Sequence, residues 1–260
     1  MRTLEVVDLV AKYGERTVLD GVGMTVDRGE VHVILGGSGC GKSTLLKHVI
    51  GLLKPAGGKI ELLGTDLVAV DEGERNAVLA RIGMLFQGGA LLNSLTIAEN
   101  VALPIRERSV LPEDVVQEIV AMKLALVSLA HAAQLTPPEL SGGMKKRAAL
   151  ARAMATDPEI LFCDEPSAGL DPVTAAELDD LLLNLKQSFG MSVVVVTHEL
   201  PSIENIADRV TMLDKGKVIA SGALAEVKRM DHPMVRSFFD RKSERAARTR
   251  SVLDVFGGGR

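Results

Sequence analysis

The chain has 260 residues, 47% of them hydrophobic and 25% charged, with a net charge of −4. That length accommodates one large α/β domain with an inserted subdomain, and the composition is that of an ordinary globular protein. The mild acidity gives no sign of a polyanion binder, so no nucleic-acid partner is expected; two cysteines, Cys40 and Cys163, make neither a disulfide framework nor a zinc site and fit a reducing compartment.

At the N-terminus, Glu5 and Asp8 stand where a signal peptide needs an apolar core. No apolar run approaches the ~18 residues of a spanning helix, so the chain reads as soluble and cytoplasmic, with any membrane role coming through a partner. Apolar runs punctuated by Gly14, Gly21, Gly23 and Gly29 predict strands at Leu4–Val10, Thr17–Leu19, Met24–Val26 and Val31–Leu35. Next comes Gly36-Gly37-Ser38-Gly39-Cys40-Gly41-Lys42-Ser43-Thr44, a full G-x-x-x-x-G-K-[ST] loop, followed by a helix over 43–51. That strand–loop–helix order aims backbone N–H groups and the positive end of a helix dipole at one point. The glycines let the backbone close around a phosphate, Lys42 reaches the terminal phosphates and Ser43 ligates Mg²⁺. The chain therefore binds a nucleoside triphosphate.

A turn at residues 55–58 leads to strands at Lys59–Leu63 and Ile82–Phe86, and from about 88 to 156 the patterning is mostly helical, with breaks at Pro104, Pro112 and Pro137-Pro138. Within it, Leu140-Ser141-Gly142-Gly143-Met144 precedes a helix over Lys145–Ala155, so Ser141, Gly142 and Gly143 present N–H groups at a helix N-terminus. The bland reading is a plain N-cap. The functional one is a second anion site, which a single chain does not need for one triphosphate; a homodimer in which each signature caps the γ-phosphate held by the other chain explains it economically.

Ile160–Cys163 is an apolar strand ending in Asp164 and Glu165. Strand alternation predicts side chains on opposite sides, with Asp164 in the Mg²⁺ shell and Glu165 facing the water that attacks the γ-phosphorus, as its orienter and proton acceptor. A helix over Pro172–Phe189, a strand over Ser192–Thr197 and a small β element over Val210–Ile219, turning at Asp214-Lys215-Gly216, complete the pattern. The basic stretch from Arg241 to Arg250 reads either as a solvated tail or as an arm packing on a partner through Val252, Leu253, Val255 and Phe256.

Together these motifs resemble the nucleotide-binding subunit of an ATP-binding cassette transporter over residues 1 to about 240. The resemblance implies a P-loop NTPase α/β core with an N-terminal antiparallel β subdomain and an inserted helical subdomain at about 88–156, with 241–260 as a separate tail. It implies ATP and Mg²⁺ as cofactors, and roles for further residues. Tyr13 would stack on adenine, and Gln87 would link Mg²⁺ and water to the transmembrane partner. The stretch Ser167-Ala168-Gly169-Leu170-Asp171 would communicate across the dimer, and His198 would contact the γ-phosphate. The signature departs from the usual pattern by ending in Met144 instead of glutamine; its backbone donors remain, so activity is expected to survive.

The Met-ended signature with the basic residues after it, and the stretch Met84 to Leu95 continuing into Glu99-Asn100-Val101, are similar to the Mla-type phospholipid transport branch. That likeness implies a permease, an extracytoplasmic lipid-shuttling domain protein and a small cytoplasmic regulator as partners, at the cytoplasmic face of the inner membrane. An importer ATPase for amino acids or other small solutes is the alternative, and a non-transport cassette ATPase is a more distant one.

Overall fold

In the computed structural model, residues 2–240 are described. The expectations for 241–260, including the partner-contacting arm, lie outside the described residues.

Two sheets share the chain. The first is antiparallel, ordered β2-β1-β4-β5, from β1 (Arg2–Tyr13), β2 (Arg16–Asp27), β4 (Gly57–Leu62) and β5 (Thr65–Asp66). The second has six strands in the order β10-β9-β3-β8-β7-β6, built from β3 (Val31–Gly36), β6 (Ile82–Leu85), β7 (Ile160–Asp164), β8 (Ser192–Val196), β9 (Arg209–Asp214) and β10 (Lys217–Ala223). Its strands are parallel except β10, which returns antiparallel on β9.

The continuous apolar runs of β3, β7 and β8 follow from burial on both faces. Ile34, Ile160, Phe162, Val194 and Val196 join a core with the antiparallel sheet and helix α1 (Lys42–Val49). Their neighbours Val33, Leu35, Leu161, Cys163, Val193 and Val195 face the other way, into a core with the helices. Those helices include α3 (Ile97–Arg108), α4 (Glu113–Leu126), α5 (Gly142–Ala153), α6 (Pro172–Phe189) and α7 (Leu200–Ile206). All six residues of β3 are buried, and it runs between β8 and β9, so the loop after it emerges mid-sheet.

Several expectations change. Thr17–Leu19 and Met24–Val26 are parts of one strand, β2, pairing along β1 through register shifts, with Gly21 at φ +69°. The β element at 210–219 is no satellite: β9 is hydrogen-bonded directly to β3. Pro104 does not break its helix but lies inside α3, whose buried Ile97, Ala98, Val101, Ala102 and Ile105 hold it together despite the missing N–H. The helices α2 (Glu72–Leu79), with Asp71 as N-cap, and α7 went unpredicted, as did the short α8 (Leu224–Val227) and the helical segment 233–240.

Candidate functional site

The phosphate loop is set by close approach. Gly36 sits at φ +150°, where a Cβ would lie 2.3 Å from the Leu213 carbonyl oxygen, and Gly41 at φ +112°, where one would lie 2.5 Å from Leu19 Cδ2. Neither position admits a side chain without moving its neighbours. Gly41 is the N-cap of α1 and supplies no side-chain cap, so the first-turn N–H groups are left to an anion. Lys42 Nζ donates to the carbonyls of Gly36 and Gly37, both at 3.0 Å, which places the ammonium at the loop's mouth. Gly37, Ser38, Gly39 and Ser43 are exposed, Thr44 is half-buried, and Cys40 is buried behind the loop.

Across β8 in the same sheet, β7 ends at Asp164. Burial first, and Glu165 second, push the Asp164 carboxyl up, while Lys42, Lys47 and Lys146 pull it down. Glu165 does not continue the strand. It adopts φ +48°, with its N–H donating to the Val196 carbonyl at 2.8 Å, so the alternation argument for its direction is replaced by a left-handed turn. Its Oε1 accepts from His198 Nδ1 at 2.7 Å, since a carboxylate can only accept. His198 Nε2 lies 3.2 Å from Glu199 Oε1. Asp164 Oδ1, Glu165 Oε2 and Ser167 Oγ are buried without a hydrogen-bond partner. Such orphaned oxygens mark a place built for a ligand, since burial without a partner is costly.

The signature residues form the start of α5. Ser141 is its N-cap, and its Oγ accepts from Met144 N–H at 3.2 Å while its own hydroxyl hydrogen remains a donor. The local N-cap reading is therefore realised, and it does not use up Ser141. A Cβ on Gly142 would meet Leu170 at 3.6 Å, and one on Gly143 would meet Thr174 at 2.6 Å, so this end of α5 packs against the start of α6. Met144 is half-buried against the helical core. Asp171 caps α6, accepting from the N–H groups of Val173 and Thr174 at 3.1 Å and from Thr174 Oγ1 at 2.6 Å; the Thr174 bonds hold its carboxyl below the usual range. Tyr13 ends β1 and is 50% exposed.

Residues 19–168 match the family described as ABC transporter. This chain belongs to the ABC transporter family. The ABC ATPase is 40% identical over 233 residues to the intermembrane phospholipid transport system ATP-binding protein MlaF of Escherichia coli K12, covering 90% of this chain and 87% of that one. It is 39% identical over 238 residues to the probable ribonucleotide transport ATP-binding protein mkl of Mycobacterium tuberculosis, covering 92% of this chain but only 66% of the relative's length. In three dimensions it is similar to the dimeric cassette MJ0796 in a post-hydrolysis state bound to ADP and Pi, with a TM-score of 0.78 and 31% identity over 85% of this chain and 98% of that one. It is also similar to CbiO1 of Clostridium perfringens, with a TM-score of 0.80 and 31% identity over 87% and 90% of the two chains.

Magnesium fits the ATPase's residues. Among the described residues no cluster of three or more His, Cys, Asp and Glu side chains is placed to hold a metal, but Mg²⁺ characteristically takes one or two protein oxygens plus substrate phosphates. The Ser43 hydroxyl, the Gln87 amide oxygen and the unpartnered Asp164 Oδ1 are donors of that hard kind. Gln87 is exposed in a turn two residues beyond β6, not at the end of a strand.

Two cations of α5 were missed in the sequence. Arg152 donates to the carbonyls of Ala90 and Gly89 at 2.6 and 2.7 Å. Lys146, 8% exposed, donates to the carbonyls of Gln87 and, at 3.2 Å, of Glu165. Burial lowers the Lys146 ammonium below the ordinary lysine value, against the pull of Glu165, Cys163 and Asp164. The available signal was helical spacing: Lys146 shares the buried stripe of α5 with Ala149, Leu150 and Ala153.

Proposed function

We propose that this chain is the ATP-hydrolysing motor of a membrane transporter that moves phospholipids between envelope membranes, working as a homodimer at the cytoplasmic face of the inner membrane. The observation that carries the substrate is the 40% identity to MlaF, which extends over nine tenths of the chain. The partners are a permease, an extracytoplasmic lipid-shuttling protein and a small cytoplasmic regulator. None of the helices among the described residues is long and apolar enough to cross a membrane, so the permease supplies the path. A cavity of about 430 Å³ whose lining includes Leu52, Met84, Phe86 and Pro104 as well as Glu107 and Arg108 offers an amphipathic seat for a permease helix.

The chemistry follows from the site. The loop from Gly36 to Thr44 holds the phosphates of ATP by backbone N–H groups, with Lys42 on the terminal ones and Tyr13 on the base. Ser43, Asp164 and Gln87 would hold Mg²⁺, whose chemistry there would be charge neutralisation at the phosphates. Glu165 Oε2 accepts a proton from water as its oxygen forms a bond to the γ-phosphorus; the bond from that phosphorus to the β,γ-bridging oxygen breaks, releasing ADP and phosphate. His198 fixes the direction of the carboxylate through Oε1. Ser141, Gly142, Gly143 and Met144 close the site of the partner subunit, with Asp171 and its loop at the same interface. A dimeric neighbour with ADP and Pi supports this arrangement.

Purification of the chain from native membranes, with mass spectrometry of co-purifying proteins and lipids, tests the proposal. A permease with a lipid-shuttling protein and bound phospholipid is expected. The name of the mycobacterial relative favours a second reading, transport of a small solute; recovery of a solute permease instead would replace the lipid substrate and leave the ATPase chemistry standing.

A further inference from the structure

Strands β6 and β7 are paired in parallel from Ile82↔Ile160 to Leu85↔Cys163, and there the ladder stops. Gln87 and Glu165 each lie two residues past that last pair, Gln87 in a turn and Glu165 at φ +48°. Beyond the ladder these two segments are joined by a side chain: the Lys146 ammonium donates to both carbonyls, so a cation takes the place of the next rung. A buried ammonium is costly unless its donors are used, and a surface lysine would have no reason to occupy this position. Lys146 also rides on α5, whose first turn carries Ser141, Gly142 and Gly143. One cation thus ties together the three backbone segments bearing the Mg²⁺-shell amide, the base and the signature.

We propose that Lys146 is a positioning residue for hydrolysis, clamping the backbone of Gln87 to that of Glu165 so that the metal-shell amide and the base keep one geometry while α5 moves with them. The inference rests on the assignment of Glu165 as base and Gln87 as metal-shell ligand. Removing the clamp leaves the phosphate loop and Tyr13 intact, so ATP affinity persists while the chemical step slows.

The test uses the full chain with Lys146→Met, Lys146→Gln and Lys146→Arg, comparing kcat, ATP affinity and thermal midpoint, with Glu165→Gln as control. Lys146→Met, nearly isosteric but without a donor, is expected to lose at least about tenfold in kcat with ATP affinity within about threefold of the parent. Lys146→Arg, able to donate to two carbonyls, is expected to restore kcat to within about threefold. Lys146→Gln is shorter, reaches the carbonyls less well and should fall severalfold. Unchanged kcat in Lys146→Met overturns the proposal, as does a parallel fall of kcat, affinity and thermal midpoint in all three variants. Should Lys146→Met fail to fold, Lys146→Gln decides: parental kcat overturns the clamp, and a selective loss of kcat supports it. An inactive Glu165→Gln beside an active Lys146→Met removes this inference alone; an active Glu165→Gln removes the base assignment and the inference with it.

Discussion

His198 Nδ1 and Glu165 Oε1 are 2.7 Å apart, while Glu165 Oε2 is buried with no partner. One carboxylate oxygen is thereby fixed by the imidazole and the other is left open, as the proposed base requires. Glu165→Gln preserves size but not basicity, and is expected to retain ATP binding while turnover falls by about 10²–10⁴. His198→Ala keeps the base but frees its direction, and a smaller loss, about 10–100-fold, is expected. Steady-state hydrolysis alongside equilibrium nucleotide binding measures both, and normal turnover in Glu165→Gln would refute the base assignment.

Ser141→Arg introduces a bulky cation at the N-cap of α5, against the helix dipole and in the proposed dimer interface. Turnover should be abolished with monomer nucleotide binding little changed. Ser141→Ala removes the cap, worth about 1 kcal/mol, and the hydroxyl donor but adds no bulk or charge, so a thermal midpoint measured on it separates helix damage from blocked closure. Equal loss of binding and turnover in the arginine variant would argue against the shared site.

Asp179 on α6 is 3% exposed and accepts from Ser202 Oγ on α7 at 2.8 Å. Burial pushes its carboxyl up to about 6, with the Ser202 bond opposing and Asp180 adding to the rise. The unfolded chain releases this proton near pH ~4, so between about pH 4 and 6 the native state binds more protons, and this group's contribution makes stability fall as pH rises through that window and level off above it. Asp179→Asn keeps an acceptor for Ser202 and removes the charge. It is expected to stabilise the protein at pH 7.5 by roughly 1–3 kcal/mol and to flatten the slope between pH 4 and 6, as read by denaturant unfolding at several pH values. A less stable variant at pH 7.5 would contradict this account.

Asn100 is fully buried, accepting from Leu92 N–H at 2.7 Å and donating to the carbonyls of Leu92, Leu95 and Thr96. It closes the loop leading from Gln87 into α3. Asn100→Ala removes the partner of the Leu92 N–H and of the Leu95 carbonyl, while the Leu92 and Thr96 carbonyls keep the N–H groups of Leu95 and residue 100, and should cost about 1–3 kcal/mol of stability. Hydrogen exchange should show the loosening concentrated over 88–96; uniform protection would mean that the loop holds itself.

The legible parts of this protein were those whose physics is local. A phosphate loop needs a strand, glycines and a helix start within a few residues, and Gly36 to Thr44 contain all of them. The apolar runs of β3, β7 and β8 advertised a doubly covered sheet because burial on both faces removes polar alternation. The signature was legible for the same reason, since Ser141, Gly142 and Gly143 form a helix N-terminus by themselves.

What depended on distant partners was not legible. Pro104 remains helical because α3 buries five apolar side chains around it, which no local rule at the proline records. Gly21 and Gly23 looked like the end of a strand, and pairing with β1 carried β2 through them. The direction of Glu165 was decided by its left-handed backbone and by the hold of Val196, not by strand alternation. Lys146 stood in the sequence only as one of the basic residues after the signature, yet its acceptors lie 59 residues before it, at Gln87, and 19 after it, at Glu165. From the sequence alone came the phosphate loop, the signature and the residues proposed to meet ATP and its metal; the tertiary structure alone decided how those residues are aimed, because aim is set by contacts between segments that only packing brings together.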